Sequence, residues 1–425
     1  MNQVTDQQII EILKKEAVPA LGCTEPVACA LACAKCKEVL GGVPDHLDVL
    51  VSGNIYKNGM GVGIPGTGMV GLPIAAALGA VCGKSEYGLE VLKEVTEGDN
   101  LQRAKDLLSH VNVSLKEDAP DKLYAEAIAT KGEDKVRVII VHTHTNIILV
   151  EKNGKEVFKR EFRLDNSKED KGPELSVKRI WDFVHEIDVK DIEFVLEGAE
   201  MNKAISAEGL KTAYGLQIGK TLKENIDKGL LEDDLLNRTL IRATAASDAR
   251  MDGCPKPVMT NSGSGNQGIT VYLPVVVAAE TFGASREQLA RALALSNLIA
   301  VHIHYYMGHL SALCGILIAG TGAASAITYL MGGTYDDMVN TIKTMCSNLT
   351  GMMCDGAKQG CALKVYSGVS AAIQAALLSM KGIRTHNDGI IEEDIERTIR
   401  NVGLIGTRGM EETDKTILNI MCHKK

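Results

Sequence analysis

From Leu310 to Met331 the chain runs 22 residues without a single charge, and such a stretch must leave water, either inside a protein or across a bilayer. Gly315, Gly320, Gly322 and several Ser and Thr interrupt it, and no basic flank accompanies it, so the pattern predicts a buried helix and not a membrane span. The composition sets how that helix must pack. Aromatic residues make up only 4% of the chain while Gly numbers 42, so the interior has to be built from Ala, Val, Ile, Leu and Met, which means helices with small faces in close contact. A length of 425 residues leaves room for two or three domains.

The same region carries thiols. Cys314, Cys354 and Cys361 stand among Gly, Ala and Met, and their separations of 40 and 7 residues fit neither a zinc ribbon nor a finger, which need two close ligand pairs. One Cys from an apolar helix and two from the Gly-rich segment Gly351–Cys361 are able to hold three corners of an iron-sulfur cube, with the fourth iron open. The alternative is that all three are small core residues, and spacing alone leaves both open.

A net charge of −8, with no Lys/Arg cluster interleaved with aromatics, argues against a nucleic-acid partner and for a small molecule. Residues 1–16 are polar and amphipathic and lack the apolar run of a signal peptide, so a cytoplasmic protein is expected. The eleven Cys are then reduced or metal-bound, and their odd number speaks against a disulfide framework.

In chain order, a helix over 5–16 is followed by Leu21-Gly-Cys-Thr-Glu-Pro26 and the apolar run Val27–Leu40. Thr24 can cap that second helix, and Cys23 just before it gains from the free N–H groups and dipole, which favour a thiolate. Cys29, Cys33 and Cys36 share one helix face and read as small core residues. A strand over 47–52 then runs into a glycine loop in which Gly61-x-Gly63-x-x-Gly66 matches a dinucleotide fingerprint only weakly, because Pro65 sits inside it. The loop's N–H groups suit an anion such as a carboxylate, with Asn54, Lys57, Asn58 and Thr67 as candidate polar contacts.

Between Leu123 and Phe162 the period changes to two, and turn signals at Lys131-Gly132 and Asn153-Gly154 predict an antiparallel sheet. His142-Thr-His144-Thr-Asn146 falls at one strand end, which makes His144 and Asn146 candidates for substrate contact. The charged run Asp165–Lys171 reads as a linker. Beyond Leu175 the chain is helical, with Ala-rich periodic segments at about 180–250, 267–349 and 360–420. A second glycine loop, Asn261-Ser-Gly-Ser-Gly-Asn-Gln-Gly268, lacks the Lys of a P-loop; Asn261, Ser262, Ser264 and Asn266 offer neutral polar groups that suit a small amino acid. His302 and His304 lie between apolar positions and read as core histidines. The expected architecture is α+β, a smaller α/β domain with an antiparallel sheet at 43–172 and a large all-helical domain at 173–425, with N-terminal helices at 1–42 packing on the latter.

Four segments together, Leu21-Gly-Cys-Thr-Glu-Pro26, Lys57-Asn-Gly with Pro65-Gly-Thr-Gly-Met-Val-Gly-Leu-Pro73, Ser247-Asp-Ala-Arg250 with Asn261–Gly268, and Cys354-Asp-Gly-Ala to Cys361, resemble the L-cysteine desulfidase family, also known as UPF0597, which is related to the alpha domain of iron-sulfur L-serine dehydratases. The resemblance implies α,β-elimination on L-cysteine to pyruvate, ammonia and hydrogen sulfide, with a [4Fe-4S] cluster on Cys314, Cys354 and Cys361 and with Cys23 as proton acceptor. An iron with an open position would act as a Lewis acid on carboxylate and leaving sulfur. Cys422 stays open as a further ligand. L-serine, or another small β-substituted amino acid, is the alternative substrate, and a non-catalytic amino-acid-binding cluster protein the alternative class. The expected partners are a small amino acid and further copies of the chain.

Overall fold

A computed structural model describes residues 4–161, 175–308 and 311–423; the expected linker at 165–171, the boundary at 172/173 and Leu310 lie outside them. The charge-free stretch forms helix Gly315–Leu330, with every residue from Ile316 to Thr328 buried. Its 16 residues are too few to span a bilayer, and it packs instead against helices Arg286–Met307, Gly265–Phe282 and Cys361–Met380. Gly faces make that possible, since a Cβ on Gly322 would stand 2.3 Å from the Ser296 carbonyl oxygen. The described helix long and apolar enough to cross a membrane is Cys361–Met380, and it lies in the same bundle against Leu235–Met251.

A six-stranded sheet has the order Val111–Leu115, His46–Val51, Tyr124–Lys131, Asp134–Val141, Ile147–Lys152, Lys155–Lys159. The four later strands form the expected antiparallel meander, closed at Asn153-Gly154 by two residues with positive φ, the backbone a two-residue hairpin needs. The sheet extends beyond the strands expected from the sequence, and its far edge is parallel. Val111–Leu115 runs parallel to His46–Val51, because the chain between them crosses over through helices Leu72–Val81 and Asn100–Leu107, as parallel pairing requires.

The two N-terminal helices part company, contrary to the expectation that both pack on the helical domain. Asp6–Glu16 joins the bundle core through Ile9 and Leu13, whereas Thr24–Leu40 lies on the sheet and shares its core through Ala30, Cys33 and Cys36. From Val27 to Ala34 it is apolar on all sides, so that stretch needs cover all round. Cys36 sets its thiol 3.5 Å from the Ala127 carbonyl oxygen, and burial pushes the Cys29, Cys33 and Cys36 thiols above their usual range, which makes them core residues. Where this helix meets Leu72–Val81, a Cβ on Gly79 would be 2.2 Å from the Ala30 carbonyl oxygen. Gly79→Ala is therefore expected to cost roughly 1–3 kcal/mol by overpacking, read as a lower urea midpoint; an unchanged midpoint would mean that the helices can move apart freely.

Candidate active site

Sheet domain and bundle meet around a cavity of about 170 Å³. On one side stands Cys23, the N-cap of helix Thr24–Leu40, which supplies no side-chain cap; the expected cap, Thr24, is the helix's first residue and bonds the Gly263 carbonyl oxygen at 3.1 Å. The Cys23 thiol donates to Glu25 Oε2 at 3.0 Å, and the same carboxylate accepts from Thr24 Oγ1 at 3.2 Å and Asn58 Nδ2 at 3.0 Å. Burial, then the Glu25 charge, pushes the Cys23 thiol well above its usual range, with Arg250 opposing. This corrects the expectation of a thiolate: Glu25 turns toward Cys23, and burial outweighs a helix dipole that acts only near its end. Glu25 itself is held below the usual carboxylate range. Burial works against that, but His144 and the bonds from Cys23 and Asn58 prevail.

Cys314, Cys354 and Cys361 line the same cavity. Cys314 is the N-cap of Gly315–Leu330, and Cys361 is the first residue of Cys361–Met380. Cys354 is tied to the Cys314 strand: Leu313 pairs with Met353, Cys314 N–H donates to the Met352 carbonyl oxygen at 2.8 Å, and Cys354 N–H to that of Ala312 at 2.6 Å. All three line the cavity with Cys23. Burial, with Cys354 adding its charge, pushes the Cys314 thiol up to about 12, and burial raises Cys361 as well; such thiols keep their protons until a metal displaces them. Among the described residues no three His, Cys, Asp or Glu side chains converge on a single metal ion. Three thiols lining one cavity are the donors that a cube with each thiolate on a separate iron would use.

The glycine segment between Cys354 and Cys361 is held from outside. Gly356 has φ +97, and a Cβ there would lie 2.2 Å from the Lys57 carbonyl oxygen. Burial works against ionisation of Asp355, yet Lys358 and Lys364 hold its carboxyl down at about 2.

Of the remaining candidates, Asn58, His144, Ser262, Ser264 and Asn266 line the cavity, with Ser262 in a left-handed backbone conformation. Asn54, Lys57, Thr67, Asn146 and Asn261 do not. Lys57 is buried in an ion pair with Asp414 of the C-terminal helix Glu411–Cys422. Thr67 closes its own turn on the Ile64 carbonyl oxygen, Asn146 caps that of Val141, and Asn261 bonds Asn297 Oδ1. Residues 53–59, expected as loop, form a short helix capped by Ser52, and that places Asn58 inward while Asn54 falls elsewhere. Cys422 is exposed and outside the cavity wall. His302 is paired with Glu396 at 2.8 Å, whereas His304, expected in the core, reaches the cavity. Sequence reasoning passed over Arg250, Gln267 and Lys364 as site residues, although Arg250 is the one charge that follows Asp248 at the end of an Ala-rich buried helix, a place where a charge needs a reason.

A family model described as the serine dehydratase alpha chain matches residues 86–419. A UPF0597 protein of Parabacteroides distasonis is 48% identical over 432 residues, covering 100% of both chains. Those of Bacteroides thetaiotaomicron and Oleidesulfovibrio alaskensis are 46% and 47% identical, each covering 98% of both chains.

Proposed function

Because this chain belongs to the serine dehydratase alpha-chain family, among its UPF0597 members, we propose that it is an iron-sulfur lyase that eliminates hydrogen sulfide from L-cysteine. The observation that carries this reading is the one cavity lined both by Cys314, Cys354 and Cys361 and by the Cys23–Glu25 pair. The three cysteines would hold a [4Fe-4S] cluster, which, when bound, supplies a Lewis acid that eases departure of the β-substituent. The rest falls to side chains. Before substrate binds, the proton rests on Cys23, which donates it in a hydrogen bond to Glu25; its passage to Glu25 therefore waits on bound substrate and on the charge of Arg250, after which the Cys23 sulfur takes the α-proton of the substrate. The electron pair left on Cα forms the double bond to Cβ, and the β-sulfur leaves with the proton from Glu25 as hydrogen sulfide. The product, 2-aminoacrylate, tautomerises to an imine and takes up one water, giving pyruvate and ammonia. Arg250, buried nearby, opposes the cost of a transient charge on Cys23.

The test is a joint assay of pyruvate and sulfide with anaerobically reconstituted protein. L-cysteine is expected to yield both in equal amounts without pyridoxal phosphate. Pyruvate from L-serine alone would assign the dehydratase reaction, since a thiol and a hydroxyl are told apart only by pocket contacts. No pyruvate from either would leave an amino-acid-binding protein and overturn the lyase.

A further inference from the structure

Arg250 is 4% exposed, and a guanidinium taken out of water needs an anion or a full set of acceptors. Here it has neither. Nη2 donates to the Gly22 carbonyl oxygen at 3.3 Å, Nη1 meets only the Met251 sulfur at 3.5 Å, and Nε has no hydrogen-bond partner among the described residues. Among the described residues no carboxylate pairs with it, although Glu25 lines the same cavity, where it takes its hydrogen bonds from Cys23, Thr24 and Asn58. Gly265 in the second glycine loop leaves the guanidinium its place, since a Cβ there would stand 2.2 Å from Nε. Elsewhere around that cavity two acceptors are in the converse condition: Gln267 Oε1 and Asn58 Oδ1 are buried without a donor among the described residues. A buried cation lacking an anion and two buried acceptors lacking donors, around one cavity beside Cys23, match the two ends of an α-amino acid.

We propose that Arg250 receives the α-carboxylate, and Gln267 and Asn58 the α-ammonium, of the amino acid bound in this cavity. The proposal deepens the lyase reading and rests on it for the identity of the cavity. It confines the substrate class to free α-amino acids, because a peptide-bonded residue would lose one or both charged ends and leave buried groups unsatisfied.

The test uses reconstituted holoprotein and an unreactive probe, L-2-aminobutyrate, followed by calorimetric titration beside butyrate, which lacks the amine, and 1-aminopropane, which lacks the carboxylate. L-2-aminobutyrate is expected to bind on the order of 10- to 100-fold tighter than either, the scale of a lost hydrogen bond to a charged group. Arg250→Gln should erase the advantage over 1-aminopropane, Gln267→Met should reduce that over butyrate, and Arg250→Lys should restore part of the first. Equal binding of the three probes by the unaltered protein overturns the proposal, whatever the variants do. So does loss of iron together with binding in Arg250→Gln, which would make the guanidinium a counter-charge for the cluster. Probe binding as expected without turnover of any amino acid would sink the lyase reading alone; turnover of L-cysteine with a KM unmoved in Arg250→Gln would sink this inference alone.

Discussion

Protein with Cys314, Cys354 or Cys361 replaced by Ala is expected to stay colourless after anaerobic reconstitution with iron and sulfide, while the unaltered protein turns brown and holds about four irons per chain. The loss should be nearly complete for each position, because under the proposed function each thiolate would bind one iron and nothing among the described residues would substitute for it: Cys422 is exposed and outside the cavity, and Cys346, though buried, does not line it. Pyruvate formation should fall with the iron. Cys346→Ala is the control, since it removes an equally buried thiol from the bundle core and should cost stability without colour. A Cys354→Ala protein with a full complement of iron would rule out this ligand set.

Changing Cys23 should do the opposite. Cys23→Ala or Cys23→Ser is expected to keep colour and iron while pyruvate formation drops by roughly 10²-fold or more, the usual scale for a lost general base. The thiol sits within hydrogen-bonding distance of Glu25, and Ser, whose hydroxyl is a far weaker acid, can keep that bond without becoming a base. Iron content and rate measured on the same sample separate the roles. Bleaching in Cys23→Ala would make Cys23 a cluster ligand, and full activity with full iron would leave it a residue that merely starts a helix.

Much of this site is legible in the sequence, and the failures have specific causes. The wall cysteines and the polar loop at 262–266 stand out as charge-poor, Gly-rich segments far apart in the chain, and the fold brings them to one cavity. Lys57 misleads for the converse reason: its partner Asp414 lies 357 residues away, and no local pattern tells a substrate-binding lysine from a buried structural one. Cys23 fails on electrostatics. A helix start argues for a thiolate, but the outcome depends on burial and on the direction Glu25 takes, which are tertiary facts. The parallel strand Val111–Leu115 is half-exposed along most of its length, so period and burial give it little signal, and its direction follows from a crossover that a list of strands does not contain.

The pairing of Lys57 with Asp414 joins the first 60 residues to the last 15, and its consequence is felt at the termini. The Lys57 carbonyl backs onto Gly356 between two of the wall cysteines, and Leu418 of the same terminal helix covers Gly53. Clipping the chain ahead of Glu411 would strand a buried ammonium without its counter-ion, a loss that typically costs several kcal/mol, and would uncover the short helix against which the cysteine loop is braced. A protease acting on the tail, or a tag fused so as to pull that helix away, would therefore reach the cysteine loop without touching any residue of the cavity.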